Sequence, residues 1–120
     1  MRGIFPTALA LVAVATFAQD VAKLAPQHVK VLFENDRVRV LQFNEPGHTK
    51  LSMHSHPAYV AVGFTADHSK YTFPDGKTSD ERTKTNDVTY SKSITHASEN
   101  LSDAVSETVM NEWKPNGPES

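Results

Sequence analysis

Two histidines flank one serine at residues 54–56, inside the stretch SMHSHPAYVAV that runs from Ser52 to Val62. The apolar run after them reads as a β-strand, and on a strand residues two apart share a face. His54 and His56 therefore project together while Ser55 points away. Two imidazoles converging on one point are either the start of a transition-metal site or a pair of histidines on an edge strand. Two ligands do not hold an ion firmly, so a third is required. His28 lies near the N-terminal edge, His48 in the turn after Gly47, and His68 in an Asp-His-Ser turn. Only His96 follows a β-like run, SKSIT, ahead of the polar Glu99 and Asn100. The chain has no cysteine. Thiolate ligands and thiol nucleophiles are thereby excluded, and any transition-metal site must use imidazole, carboxylate, amide and water.

The elements that must position these residues are short and β-like. VKVLFENDRVRVLQFNEPGH gives two apolar runs separated by Glu34, Asn35 and Asp36, a hairpin signal, and Pro46-Gly47 closes the second run with turn chemistry. Val38 and Val40 alternate with Arg37 and Arg39, which predicts an apolar face carrying the valines and a charged face carrying the arginines. LSMHSHPAYVAVGF, SKYTF, a tight turn at Pro74-Asp75-Gly76, DVTYSKSITHASEN and AVSETVMNEWK follow, the last placing Val105, Val109 and Trp113 on one parity. KTSDERTKTN is a loop, or a strand with little apolar burial. Phe43, Val62, Phe64, Met110 and Trp113 are most simply core. Strand-like runs recurring between Gly, Pro, Asn and Asp clusters, with no apolar spacing of helical period beyond the first residues, predict an all-β sandwich or barrel.

The chain has 120 residues and opens with Arg2 and an almost uncharged apolar run that ends in small residues. That is the pattern of a secretory signal peptide, interrupted at Pro6 and short of the roughly 20 residues that span a bilayer. Residues 1–18 are expected to be cleaved after Ala18, giving a secreted or periplasmic protein with no membrane span. Residues 19–27 then form a polar approach segment, 28–114 the barrel, and 115–120 a disordered tail. The formal charge of −2 becomes more negative once Arg2 is lost, which is no footprint for nucleic acid or an anionic membrane. A domain this small without disulfides needs a core, a metal or an oligomer interface for its stability.

Gly47, His54, His56 and Gly63, followed by His96 and Asn100, resemble the two motifs of the cupin superfamily in its small single-domain members. The resemblance covers about residues 28 to 114 and implies a cupin-type β-barrel, a double-stranded β-helix of jelly-roll kind. The motif glutamate, which follows the second histidine after three or four intervening residues, is absent, since Val60 and Ala61 stand there, and Asn86-Asp87 replaces the glycine before the second motif. Asn86 can still adopt a positive φ at modest cost.

The resemblance implies a metal centre of His54, His56 and His96, holding one divalent transition metal ion among Fe, Mn, Zn, Ni and Cu. Three neutral imidazoles would keep the full charge of the ion and leave positions open, a catalytic rather than a closed structural arrangement. Some cupin-like dioxygenases have a three-histidine iron centre. Asn100 is expected to orient a ligand or cap a turn, and Tyr59 to line the pocket or pack. Glu99, on the wrong parity, is expected to be solvated, and no residue stands out as a general base. The expected function is a metal-dependent oxygenase or isomerase of the cell envelope acting on a small chelating substrate such as a diketone, enediol or hydroxy acid. The alternatives are a non-catalytic barrel that binds a small molecule or metal, and an interaction module in which the histidines are incidental. Homodimers are common among the proteins it resembles.

Overall fold

The hairpin expected around Asn35 forms in the computed structural model, which describes residues 19–114; the expected leader (1–18) and tail (115–120) lie outside the described residues. β2 (Val29–Glu34) and β3 (Val38–Glu45) pair antiparallel, and the Asn35 side chain accepts hydrogen bonds from the backbone N–H of Arg37 (2.8 Å) and Val38 (2.9 Å). An asparagine that binds backbone two and three residues on is a standard way to close a turn.

Before this hairpin come β1 (Gln19–Asp20) and a single helical turn, α1 (Val21–Leu24). After it come β4 (Lys50–His56), β5 (Tyr59–Gly63), β6 (Asp67–Thr72), β7 (Thr78–Thr83), β8 (Val88–Ser91), β9 (Ile94–Asn100) and β10 (Ser106–Trp113). They form two five-stranded sheets, ordered β1-β4-β9-β6-β7 and β2-β3-β10-β5-β8. The all-β expectation holds, and both sheets contribute to one core that includes Leu41, Phe43, Leu51, Ala61 and Met110.

Several local expectations are corrected. LSMHSHPAYVAVGF is two strands, because Pro57 cannot donate to a ladder and the chain crosses there from one sheet to the other. DVTYSKSITHASEN likewise breaks at Lys92-Ser93 into β8 and β9, on different sheets. Two other expectations hold: KTSDERTKTN contains a strand with little burial, the edge strand β7, and Asn86 takes a positive φ of 72°. The approach segment is not merely polar: Val21 is fully buried and Ala25 nearly so.

Two strands face the other way from their apolar pattern. On β3 the inward parity carries Arg39, Leu41 and Phe43, with Leu41 and Phe43 buried, while Val38 and Val40 lie on the opposite face and are only half-buried. On β10 the inward parity carries Ser106, Met110 and Glu112, all buried, and leaves Trp113 exposed; Val105, just before the strand, and Phe64 are exposed too. Arg39 and Glu112 are directly opposed in the β3–β10 register. Their ion pair, with Arg39 Nη2 2.9 Å from Glu112 Oε1, makes the burial of both charges tolerable beside Leu41, Phe43 and Met110.

Gly47 sits against the loop that leads into β10. A Cβ there would lie 2.5 Å from the carbonyl oxygen of Asp103 and 2.6 Å from its carbonyl carbon. These are backbone atoms that cannot swing aside, so Gly47→Ala is expected to lower stability by about 1–3 kcal/mol, the cost of overpacking. Urea unfolding would show it as a lower midpoint at unchanged slope.

Candidate metal centre

The antiparallel pairing of β4 with β9 sets His54 directly opposite His96. Its register shifts between Leu51 and His54, so the β4 chain carries extra length at Ser52 and Met53. That bulge lets Leu51 and His54, three residues apart, both turn inward, where an unbroken strand would send one of them out. His56 follows on the same face as His54, and all three histidines are buried. One ring nitrogen of each can be chosen so that all lie within 4.8 Å of one another. The rings meet edge to face, with centroids 4.8 Å (His54–His56), 4.9 Å (His54–His96) and 5.4 Å (His56–His96) apart.

The remaining nitrogens fix which atoms are free. His54 Nδ1 is 2.7 Å from the carbonyl oxygen of Ser52, in the bulge. A carbonyl only accepts, so Nδ1 carries the proton and Nε2 keeps its lone pair. His56 Nδ1 donates in the same way to Glu112 Oε2 at 2.9 Å. Among the described residues no hydrogen bond reaches a ring nitrogen of His96, which is unusual for so buried a polar group. Burial, reinforced by the neighbouring rings, pushes the pKa of His96 down to about 3. Burial also pushes His54 down to about 4. Both are neutral imidazoles near pH 7, the form that binds metal. A buried orphan nitrogen and two outward Nε2 lone pairs fit a divalent transition metal ion.

Glu112 is one residue that sequence reasoning missed, with Glu45 and Tyr71 of the chamber wall. The other oxygen of Glu112 accepts from Arg39 Nε at 3.0 Å, and Arg39 in turn forks onto both oxygens of Asp20 at 2.8 Å each. The Asp20 carboxyl is held below its usual range by Arg39. The available signal was the alternation of Ser106, Thr108, Met110 and Glu112 on one parity of β10.

Tyr59 and Asn100 separate. Tyr59 is brought to the site because the chain breaks at Pro57, so strand parity from His56 no longer applies; its ring centroid is 5.4 Å from that of His56. Asn100 does not hydrogen-bond a histidine. Its amide donates to the carbonyls of Glu45 (3.1 Å), Pro46 (3.3 Å) and Ala104 (2.9 Å), and its oxygen accepts from Ser102 N–H at 3.0 Å. It clamps the loops after β3 and β9. His48 and His68 instead pair with Asp103 and Asp80, away from the cluster.

The histidines line a chamber of about 70 Å³ that shares Tyr59, Tyr71, His96 and Met110 with an adjoining cavity of about 330 Å³. Tyr71 stacks on His96, with centroids 4.7 Å apart and ring planes at 24°. Burial pushes its hydroxyl up to about 12, so it stays protonated. Glu45 and Asp67 also line the chamber. Burial, with Asp67 as a lesser cause, pushes the Glu45 carboxyl up to about 7.

A carboxyl whose folded pKa lies above its ordinary value is deprotonated first in the unfolded chain, so it destabilises the fold as pH rises between the two values. For Glu45 that window runs from 4.5 to about 7. Glu45→Gln should therefore gain stability relative to the native metal-free protein by about 1–2 kcal/mol between pH 4.5 and 7.5, after allowance for partial exposure. Parallel melts of the two proteins across that range provide the check.

No family profile matches the sequence, and no curated protein matches it. The fold is another matter. The chain has the double-stranded β-helix fold of a small cupin domain. It is similar to a cupin domain from Bordetella pertussis Tohama I at 24% identity and TM-score 0.66, covering 72% of this chain and 91% of that one. A double-stranded β-helix protein from Klebsiella pneumoniae is similar at 16% identity and TM-score 0.59, covering 74% and 77%. An RmlC-like cupin from Methanocaldococcus jannaschii is similar at 13% identity and TM-score 0.57, covering 71% and 77%.

Proposed function

We propose that the protein binds one divalent transition metal ion on His54, His56 and His96 and uses it on a small chelating substrate, as an oxygenase or isomerase. The observation that carries this reading is the buried meeting of three imidazoles, two of which have their Nδ1–H groups tied back so that Nε2 is free. When bound, the metal supplies Lewis acidity or oxygen activation. The chain's own residues do the rest. Tyr59 and Tyr71 wall the approach to the histidines, and Glu45, poised near neutrality, is the group fitted to take or return a proton.

The cavity supports a narrower substrate class. Asp67, Glu81 and Asp87 line it, and among the described residues no lysine or arginine does. A hydroxy acid would have only the metal to meet its carboxylate and would face these acidic walls, whereas a neutral diketone or enediol meets no such repulsion. At about 330 Å³ the cavity is at the lower end of small-molecule sites.

Metal analysis of the natively purified protein tests the first step, with titration by Zn, Mn, Ni and Fe(II). A folded protein that carries no metal and takes up none would sink the reading. Oxygen uptake by the Fe(II)-loaded protein over a panel of diketones and enediols separates an oxygenase from a barrel that only binds. The apolar, lightly charged start of the sequence supports export to the periplasm or beyond, which cell fractionation would check.

A further inference from the structure

The N-terminal segment is built into the metal-bearing strand. β1 pairs in parallel with β4, setting Gln19 against His54 and Asp20 against Ser55. Asp20 then does two things at once. Its Oδ1 accepts from the Ala22 N–H at 3.1 Å, capping α1, and both its oxygens accept from the guanidinium of Arg39. Arg39 grips Glu112, which is almost fully buried, and Glu112 receives the Nδ1–H of His56. An unbroken series of charge-assisted bonds thus joins the twentieth residue to an imidazole in the candidate metal site.

We propose that Asp20, through Arg39 and Glu112, is a positioning residue for His56, so that docking of the N-terminal strand completes the metal centre. The inference rests on the metal reading above. The guanidinium is planar and forked, and Asp20 occupies its Nη1 and Nη2 edge while Glu112 meets Nε and Nη2. Removing the Asp20 charge frees the fork to turn, and the Glu112 carboxylate loses the partner that aims Oε2 at His56. A carboxylate behind a ligating histidine fixes its tautomer and ring orientation and raises its basicity. Packing of the N-terminal segment alone would need only Val21, the fully buried first residue of α1.

The test uses the full chain with Asp20→Asn, Glu112→Gln and Arg39→Lys, all assayed well below their melting temperatures. Zn affinity is measured by competition with a chromophoric chelator, and the Co(II) visible spectrum reads the ligand field. Glu112→Gln should weaken binding about 10- to 100-fold, as loss of such a partner does, and Asp20→Asn by a smaller factor in the same direction, with altered Co(II) bands. In the metal-free proteins, nitrogen-15 shifts of the His56 ring should show the Nδ1–H tautomer in the native chain and a mixture in Asp20→Asn. Folded Asp20→Asn and Arg39→Lys proteins with native tautomer, affinity and Co(II) spectrum would overturn the inference. A native chain that takes up no metal refutes the metal reading, while the tautomer measurement still decides the role of Asp20.

Discussion

His96→Ala is expected to reduce the metal content of the natively purified protein from about one ion per chain to background, a loss well beyond the about 10- to 100-fold that removal of an outer partner costs. The variant should nonetheless fold. His96 is a buried imidazole with no hydrogen-bond partner among the described residues. Replacing it removes an unsatisfied polar group while opening space beside Tyr71, two effects of opposite sign. The contrast with the native chain should be plainest in thermal melts. An ion at 100 times its dissociation constant stabilises the native protein by about 2.7 kcal/mol. That gain should be missing in His96→Ala, whose melting temperature should not respond to Zn, Mn, Ni or Fe(II). His54→Ala should behave alike, although it also leaves the Ser52 carbonyl in the bulge without its donor.

What could be read from the sequence followed strand periodicity, and what could not followed its interruptions. Parity alone put His54 and His56 on one face, and the turn residues at Asn35 and Asn86 did what their chemistry allows. The bulge at Ser52 and Met53 carried no sequence mark, yet it explains how His54 and Leu51 share the interior. Pro57 did mark the break that frees Tyr59 from the parity of the HSH pair, because proline cannot donate to a ladder.

The larger failures were Arg39 and Glu112. Each lies on the inward face of a strand whose outward face carries valine or tryptophan, so an apolar-in rule reads both strands backwards. A buried charge is tolerable only when paired, and pairing between residues 39 and 112 is a tertiary fact that no local window contains. The same pair bears on the missing motif glutamate. Val60 or Ala61 stands where the resemblance would put that carboxylate. Carboxylates are present around the histidines all the same, with Glu112 behind His56 and Glu45 in the chamber wall.

Arg39→Met should cost about 3 kcal/mol, the lower end for breaking a buried ion pair, because Arg39 keeps some contact with solvent. For a domain of this size that corresponds to a fall of roughly 12–24 °C in melting temperature. The cost arises less from the lost attraction than from Glu112, left charged in the interior with only His56 to meet it. Asp20 is more exposed and can be rehydrated. Adding Glu112→Leu should therefore restore part of the stability, since the unpaired buried charge is gone while the His56 Nδ1–H is left without its acceptor. The double variant should not regain the native affinity for metal, because His56 Nδ1 would then face a leucine. A partly recovered melting temperature with weakened Zn binding would separate the two roles of the pair, one in holding β3 to β10 and the other in aiming a ligand. Recovery of both would show that the ion pair serves the fold alone.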